Sequence, residues 1–414
     1  MSDPQVHIVG GGLAGLSCAL RLQQAGISSE IFEASDEVGG RARTDEVDGF
    51  LLDRGFQVLL TAYPEAQQVL DYTDLELMPF EPGALVRYRG SFHRFADPWQ
   101  RPQHLLSTAF SSVATLGDKL RVARLRRRVS RGTLDVLFAQ PETSTLDTLR
   151  SEGFSEHIIN CFFRPFLGGV FLDRELRTSS RMFNFVFRMF ATGDAVVPAS
   201  GMGAMAKQMV AHLPPESIRT NSKVERVKTN SIRLATGEDL HASTIVVACE
   251  APVAAVLLDQ GSPAPGRGVT CLYFAADEAP IDEPILVLNG DGDGPINNLC
   301  VPSLLSPKYA PPGQSLISVT VLGVPSESED IQGQVLEQLH QWFGSVVDTW
   351  RHLRTYRIPY ALPAQEPPAL ATVAKPARRS DGIFVCGDYL DTASIQGAML
   401  SGRRAAEQII EKLK

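Results

Sequence analysis

The chain has 414 residues, 44% of them hydrophobic and 21% charged, with 47 acidic against 39 basic side chains and a formal net charge of −8. This length exceeds one small core and predicts two domains, and the acidic balance argues against a nucleic-acid partner. The six cysteines (18, 161, 249, 271, 300 and 386) form no CxxC pair and the histidines no HxxxH spacing, so neither a disulfide framework nor a metal site is expected.

In chain order, the apolar run Val6-His7-Ile8-Val9 predicts a strand. It ends in Gly10-x-Gly12-x-x-Gly15, and Leu16 to Leu22 reads as a helix. Strand, glycine turn and helix in this order make a dinucleotide fingerprint. Gly10 permits the tight turn, Gly12 lets backbone approach a pyrophosphate, and Gly15 lets helix and strand pack closely. The helix N-terminus offers free N–H groups to phosphate. The run Ser29 to Glu33 then ends in an acid placed for ribose hydroxyls. A carboxylate there repels a 2′-phosphate, so NADP is disfavoured. The fingerprint by itself fits FAD and NAD alike. With its first strand at Val6, the chain leaves no room for a signal peptide. No apolar run approaches the roughly eighteen residues that span a bilayer. A cytoplasmic protein is expected.

Asp36-Glu37-Val38-Gly39-Gly40-Arg41-Ala42-Arg43-Thr44 follows. It resembles the GGRxRT segment of the flavin amine oxidase, phytoene desaturase and protoporphyrinogen oxidase superfamily, the phytoene desaturase branch above all. In that superfamily the segment lines the pyrophosphate and flavin. The resemblance therefore implies FAD, held by Gly10, Gly12, Leu13, Ala14, Gly15, Glu33, Ala34, Gly40 and Arg41. The residues agree: two glycines permit close approach, and Arg41 and Arg43 can pair with phosphates. The stretch Val47 to Gln57 corresponds to a place where the family holds an aspartate and a glycine turn against the isoalloxazine. That implies Gly55, Phe56 and Gln57 as flavin contacts; read from residues alone, a hairpin with a core phenylalanine also fits. Tyr63 to Tyr72 then reads as a short helix, and Ala84 to Phe95 as a hairpin with Arg89-Gly90 near its tip.

Residues 103–131 read as helical and carry Lys119, Arg121, Arg124, Arg126, Arg127, Arg128 and Arg131. In an acidic protein such a reversal fits either a surface that settles on anionic lipid or a solvated helix face paired with acids elsewhere. Nine of the twenty phenylalanines lie within residues 154–190. They read as the core of a helical substrate domain, some lining an apolar tunnel for a large flat or polyene substrate. Arg164-Pro165 to Phe171 is expected to break one helix from the next, and Arg164 and Arg174 are candidate substrate contacts. Gly201-x-Gly203-x-x-Ala206 imitates a second fingerprint, but Pro198 interrupts the preceding apolar run. The segment resembles instead the P-x-G-G-M return of the same family.

Ser222 to Val227 and Ser231 to Leu234 read as paired strands, and the resemblance puts the backbone of Val224 at adenine. Thr244 to Cys249 reads as a buried strand, followed by a helix from Ala251 to Leu258. Strands are expected at Cys271–Phe274, Ile285–Leu288 and Ser315–Thr320, and an amphipathic helix at Asp330–Phe343. Asp291-Gly292-Asp293-Gly294 reads as a turn, because Pro302 stands where a calcium loop needs its twelfth-position acid. Tyr356 to Leu362 resembles the family strand that passes near the flavin, and Tyr360 is a candidate substrate contact. Finally, Gly382 to Tyr389 and Ser394 to Gly402 resemble the family's closing motif. That implies Gly387, Asp388, Ser394, Ile395 and Ala398 at the cofactor. A helix N-terminus there favours negative charge at the flavin N1–C2=O edge.

The expected fold is α/β: a discontinuous Rossmann-like FAD-binding domain (1–75, 200–260 and 365–414) with an inserted α+β substrate domain (76–199 and 261–364). The expected activity is transfer of a hydride from an apolar substrate, a polyene, isoprenoid or tetrapyrrole-like molecule, to flavin N5. Oxygen, a quinone or another carrier would accept the electrons. The alternatives are a carotenoid-type isomerase without net redox, an oxidase of a soluble amine and a non-catalytic flavoprotein carrier. No catalytic acid or base is identified. Peripheral membrane contact is the remaining expected partner.

Overall fold

A computed structural model describes residues 5–96, 113–261 and 265–413. The expected helical residues 103–112 lie outside these.

Val6–Val9 is fully buried and pairs in parallel with Ser29–Phe32 on one side and Thr244–Val247 on the other. With Ile218–Arg219 and Phe384–Val385 outermost, these form a five-stranded parallel sheet. Its strands are short apolar runs, as a sheet covered on both faces requires. The chain supplies them from near its start, its middle and its end, so everything between Phe32 and Ile218, and between Val247 and Phe384, is inserted into this frame. The helices Leu13–Gln24 and Ile395–Leu413 lie side by side, so close that a Cβ on Gly402 would overlap the Ala14 carbonyl.

The two insertions together form a second, seven-stranded sheet. Its order is Arg351–Pro363, Gly266–Ala276, Ser315–Leu322, Ile296–Cys300, Leu286–Asn289, Gly83–Tyr88, Ser91–Ala96. The pairing is antiparallel except between Leu286–Asn289 and Gly83–Tyr88. Strand alternation splits its faces. Leu272, Phe274, Ile317, Val319 and Val321 pack under the helix Ile331–Phe343, while Cys271, Tyr273 and Leu316 join the main core. The strand Ile296–Cys300 has no counterpart in the sequence reading. Its centre, Asn297-Asn298, is polar, and both amides are buried in hydrogen bonds.

Two sequence expectations are corrected. Arg164–Phe171 does not break a helix; it is one, continuing a π-helical turn at Ile159–Phe163, with Pro165 in its first turn. The π turn ahead of Pro165 is a local irregularity at which a residue without an N–H is accommodated inside the helical run. A strand does lead into Pro198, since Ala195–Pro198 pairs antiparallel with Leu59–Leu60 and Leu77–Pro79. Pro is tolerated at its last position, where the ladder ends.

Candidate cofactor site

The glycine turn has the local geometry its spacing predicts. Gly10 has φ +111°, and a Cβ there would sit 2.9 Å from the Ala248 carbonyl oxygen. A Cβ on Gly15 would overlap the Gly10 carbonyl. Gly12 differs from both. Its hypothetical Cβ meets nothing nearer than Gly40 Cα at 3.9 Å. Gly12 is also the N-cap of the helix Leu13–Gln24, with no side chain capping its free N–H groups and no acid in its first turn. The space in front of Gly12 is open and lined with donors, as an anion requires.

Glu33 lies at the end of the neighbouring strand. Its Oε2 accepts from the Gly11 N–H at 2.7 Å, and its Oε1 accepts from the Ser35 N–H at 2.8 Å and the Ser35 hydroxyl at 2.7 Å. A carboxylate has about four acceptor positions, so capacity for a ribose hydroxyl remains, with Ala34 exposed beside it. The segment leading to Val224 runs along this acid, since the Ser222 N–H donates to the Glu33 carbonyl at 2.8 Å. Val224 itself is buried and its side chain packs in the core.

The second glycine pair completes one wall. Gly12 and Gly39 form an isolated parallel bridge, and Gly40 is exposed opposite Gly12. Arg41 then reaches across the cleft. Its Nη1 donates to the Ala361 carbonyl at 2.8 Å, and its Nη2 lies 2.8 Å from Asp388 Oδ1. That second contact is an ion pair whose angles are not those of a hydrogen bond, so Oδ1 is buried without a hydrogen-bond donor. The Tyr360 hydroxyl is likewise buried and unpartnered, its ring 5.9 Å from the Arg41 guanidinium. Burial and then the Asp388 charge push the Tyr360 phenol up, so it remains a neutral O–H donor. The unpartnered Tyr360 hydroxyl and the Arg41–Asp388 ion pair fit a polyanionic ligand with hydroxyls.

Arg43 departs from expectation. It is buried and spent on Asp36 Oδ1 at 3.0 Å and Glu37 Oε2 at 3.5 Å, so it holds the loop and is not available to phosphate. On the opposite wall, Gly387 donates its N–H to the Ser401 hydroxyl at 2.9 Å. Ser394, Ile395 and Ala398 are half-buried at the start of the last helix, while Gln396, Gly397 and Met399 between them are buried. Gln57 Nε2 donates to the Arg41 carbonyl at 2.8 Å, tying the Gly55–Gln57 turn to the same wall. That turn follows the hairpin Thr44–Val47 and Phe50–Asp53. Phe50 is its core phenylalanine, as a hairpin reading expects, and Phe56 is half-buried.

The three candidate substrate residues do not come together. Tyr360 stands with Arg41. Arg164 donates to the Arg174 carbonyl at 2.7 Å and to Asn160 Oδ1 at 2.9 Å, so these two arginines form a separate knot beside the turn at Gly292. Six of the nine clustered phenylalanines are core (154, 162, 163, 171, 183 and 185), whereas Phe166, Phe187 and Phe190 are only half-buried. Phe166 stacks on Phe162 and meets Phe190, both with centroids 5.3 Å apart, and Phe56 meets Phe80 edge-on at 6.1 Å.

Asp53 was missed. It is 6% exposed, and its Oδ1 accepts from the Thr44 hydroxyl at 2.6 Å and the Met202 N–H at 2.8 Å. An acid closing the buried run Phe50-Leu51-Leu52 beside Gly55 is the signal that marks it.

Residues 13–410 match the model of the family described as flavin containing amine oxidoreductase. Among curated proteins, the chain is 24% identical to a carotenoid 3,4-desaturase of Haloarcula japonica, covering 100% of this chain and 99% of that one. Among solved structures, one named for a protoporphyrinogen oxidase of Exiguobacterium sp. 255-15 superposes with a TM-score of 0.76, at 17% identity and over 100% of both chains. A putrescine oxidase bound to putrescine gives 0.72, at 16% identity and over 99% of both chains.

Proposed function

The chain belongs to the family of flavin containing amine oxidoreductases and is an FAD-dependent oxidoreductase, and on that premise we propose that it draws a hydride from an apolar polyene, isoprenoid or tetrapyrrole-like substrate. FAD, when bound, supplies the hydride acceptor at N5; orientation and electrostatics are left to the protein. The open backbone at Gly12 and Gly40, the N-terminus of Leu13–Gln24 and Arg41 hold the pyrophosphate. Glu33 holds the adenosine ribose, and the backbone at Val224 lies along the adenine. Asp388 accepts from a ribityl hydroxyl, and the helix starting at Ile395 stabilises negative charge at the N1–C2=O edge. Gly55, Phe56 and Gln57 lie against the ring system. Residues 1–75, 200–260 and 365–414 make up the cofactor domain, and 76–199 and 261–364 the substrate domain.

The observation that carries the apolar substrate is the set of half-buried rings, Phe56, Phe80, Phe166, Phe187 and Phe190. A pocket for an extended hydrocarbon is mainly aromatic, with few polar anchors. The turn at Gly201-Met202-Gly203 is closed to a second dinucleotide, because its amides donate to Asp53 and Thr44. Electrons therefore leave to oxygen, a quinone or another carrier.

Anaerobic additions of polyenes, porphyrinogens and amines to the flavin-loaded protein test this reading. Loss of the oxidised-flavin bands with a polyene or porphyrinogen is expected. Bleaching by amines alone contradicts it, as does a spectrum that no panel member changes.

The same function includes a docking face on anionic lipid, from which an apolar substrate is collected. The helix Leu116–Val129 carries six cations and one acid. Arg128 pairs with Glu152 and Arg121 lies near Asp118, but Arg124, Arg127 and Arg131 have no ion pair among the described residues. They continue a stripe begun by Leu116 and Leu120, which are 75% and 65% exposed. Near an anionic membrane each cation contributes about 1 kcal/mol, and each leucine buried adds about 1.5–3 kcal/mol. Sedimentation with phosphatidylglycerol vesicles is expected to pellet the protein, and Leu116→Ser with Leu120→Ser to release it. Equal pelleting with neutral vesicles, or none with either, contradicts the docking face. No described helix is long and apolar enough to cross a membrane.

A further inference from the structure

The hairpin Gly83–Tyr88 and Ser91–Ala96 turns through Arg89-Gly90, with Tyr88 opposite Ser91 in register. Both turn residues have positive φ, +50° at Arg89 and +76° at Gly90. Asparagine or glycine usually supplies that conformation, so an arginine at the first position is held there under strain. The turn is anchored from outside. The Arg89 N–H donates to Asp291 Oδ1 at 2.7 Å. A Cβ on Gly290 would sit 2.8 Å from the Cys161 carbonyl oxygen and 2.9 Å from that of Arg87. This second turn is therefore wedged between the hairpin and the π-helical turn Ile159–Phe163.

An open cavity of about 410 Å³ lies beside the hairpin tip, lined by Tyr88, Arg89, Ser91, His93 and His157. Its side chains hold one another in place. His93 Nε2 lies 3.2 Å from the Tyr88 carbonyl oxygen, and His157 Nδ1 lies 3.6 Å from Cys161 Sγ. The Tyr88 and His157 rings meet edge-on at 5.3 Å, and the Arg89 guanidinium stands 5.1 Å from the centre of the Tyr88 ring. Among the described residues no carboxylate lines the cavity and Arg89 has no ion pair. The two acids nearby are engaged elsewhere, Asp291 with the Arg89 backbone and Glu156 with Arg150 at 2.7 Å. Burial pushes the Cys161 thiol up to about 11, so it stays neutral.

One guanidinium, two imidazoles and two hydroxyls without a carboxylate favour an anion. These groups approach from a hairpin and from a helix. A tetrahedral oxyanion has acceptors in several directions, whereas a carboxylate has them in one plane. We propose that this cavity binds a phosphate monoester, free or on a lipid, with Arg89 as the charged anchor and Tyr88, Ser91, His93 and His157 around the phosphate. The cavity is larger than a bare phosphate ion and leaves room for the organic body of an ester. None of these five residues belongs to the flavin site described above.

Inorganic phosphate is the first probe, titrated calorimetrically into the flavin-loaded protein so that the dinucleotide site is filled. Saturable binding is expected, and Arg89→Asn is expected to weaken it about tenfold or more. Asparagine suits φ +50° better than arginine, so this variant should melt no lower than wild type. Arg233→Gln removes an exposed cation that pairs with Asp239 far from the cavity, and should bind phosphate as wild type does. No saturable binding, unchanged affinity in Arg89→Asn or an equal loss in Arg233→Gln overturns the proposal. Should Arg89→Asn not fold, His157→Gln decides on the same terms. Displacement of phosphate by glycerol 3-phosphate marks a soluble ester as the ligand, and displacement by phosphatidic acid vesicles alone marks a lipid headgroup. Either upholds the site, and displacement by neither overturns it.

Discussion

The three fingerprint glycines are not equivalent, and their surroundings separate folding from binding. Gly15 is needed by the apoprotein, because any side chain there collides with the Gly10 backbone. Gly15→Ala is expected to cost about 3 kcal/mol or more, read as a lower denaturation midpoint with or without FAD. Glycine spacing was legible because it encodes backbone contacts that no other residue allows. The partner of each charged side chain was not legible. Arg41 and Arg43 stand two residues apart in one motif, yet Arg41 faces the cleft and Arg43 is buried on Asp36 and Glu37. Sequence fixes which side chains can form ion pairs, and the loop path through Gly39 and Gly40 decides which ones do. For the same reason the partners of Asp53 were not legible, since three of its four donors come from residues at least 149 positions away.

At the scale of elements, hydrophobic periodicity located the glycine helix, the helix Ile331–Phe343 and most strands. It failed where tertiary contacts outweigh pattern. Ile296–Cys300 is a central strand with buried asparagines, and Arg164–Phe171 is helical despite Pro165, Gly168 and Gly169. Those glycines let the helix approach Asn297 and Asn298, whose side chains lie 3.0–3.1 Å from a Cβ built on Gly169. The basic helix is anchored at its N-terminus by Asp118. This residue accepts from the Thr115 N–H and hydroxyl, at 3.2 and 2.6 Å, and from the Ser155 N–H and hydroxyl, at 2.9 and 2.8 Å. Burial pushes the Asp118 carboxyl up, but these hydrogen bonds outweigh it and hold the group below the usual aspartate value. A carboxyl with a lowered folded pKa stabilises above its unfolded pKa, near 3.9, and loses that contribution as pH falls through the folded value. Asp118→Ala is therefore expected to cost about 1–3 kcal/mol at pH 7. The difference from wild type should narrow below about pH 4, as urea melts across that range would show. A constant difference contradicts the assignment.

At the scale of the whole molecule, the two ends of the chain and a central segment build one parallel sheet, and the candidate site lies where they meet. Arg41 from the N-terminal part, Ala361 from the end of the long inserted strand and Asp388 from the closing motif lie within 2.8 Å contacts of one guanidinium. This convergence explains why both ends of the sequence were readable and the middle was not. The ends carry glycine turns whose backbone is closely approached, whereas the middle carries half-buried aromatics whose contacts no spacing defines. A site assembled from distant segments also couples cofactor to fold, since a ligand that binds only the native state stabilises it by mass action.

Gly12 gives the most direct test of where FAD sits. A Cβ there meets nothing in the protein nearer than 3.9 Å, and the extended backbone, φ −76° and ψ 177°, is one that valine accepts. It would occupy only the space assigned to the pyrophosphate. FAD titration by flavin fluorescence quenching of wild-type and Gly12→Val apoproteins, with their melting curves, is the decisive measurement. Matching apoprotein melts with affinity reduced about a hundredfold, near 2.7 kcal/mol, are predicted. A valine variant that binds FAD as tightly as wild type would show that the cofactor does not lie against Gly12, and the account of the site would fall.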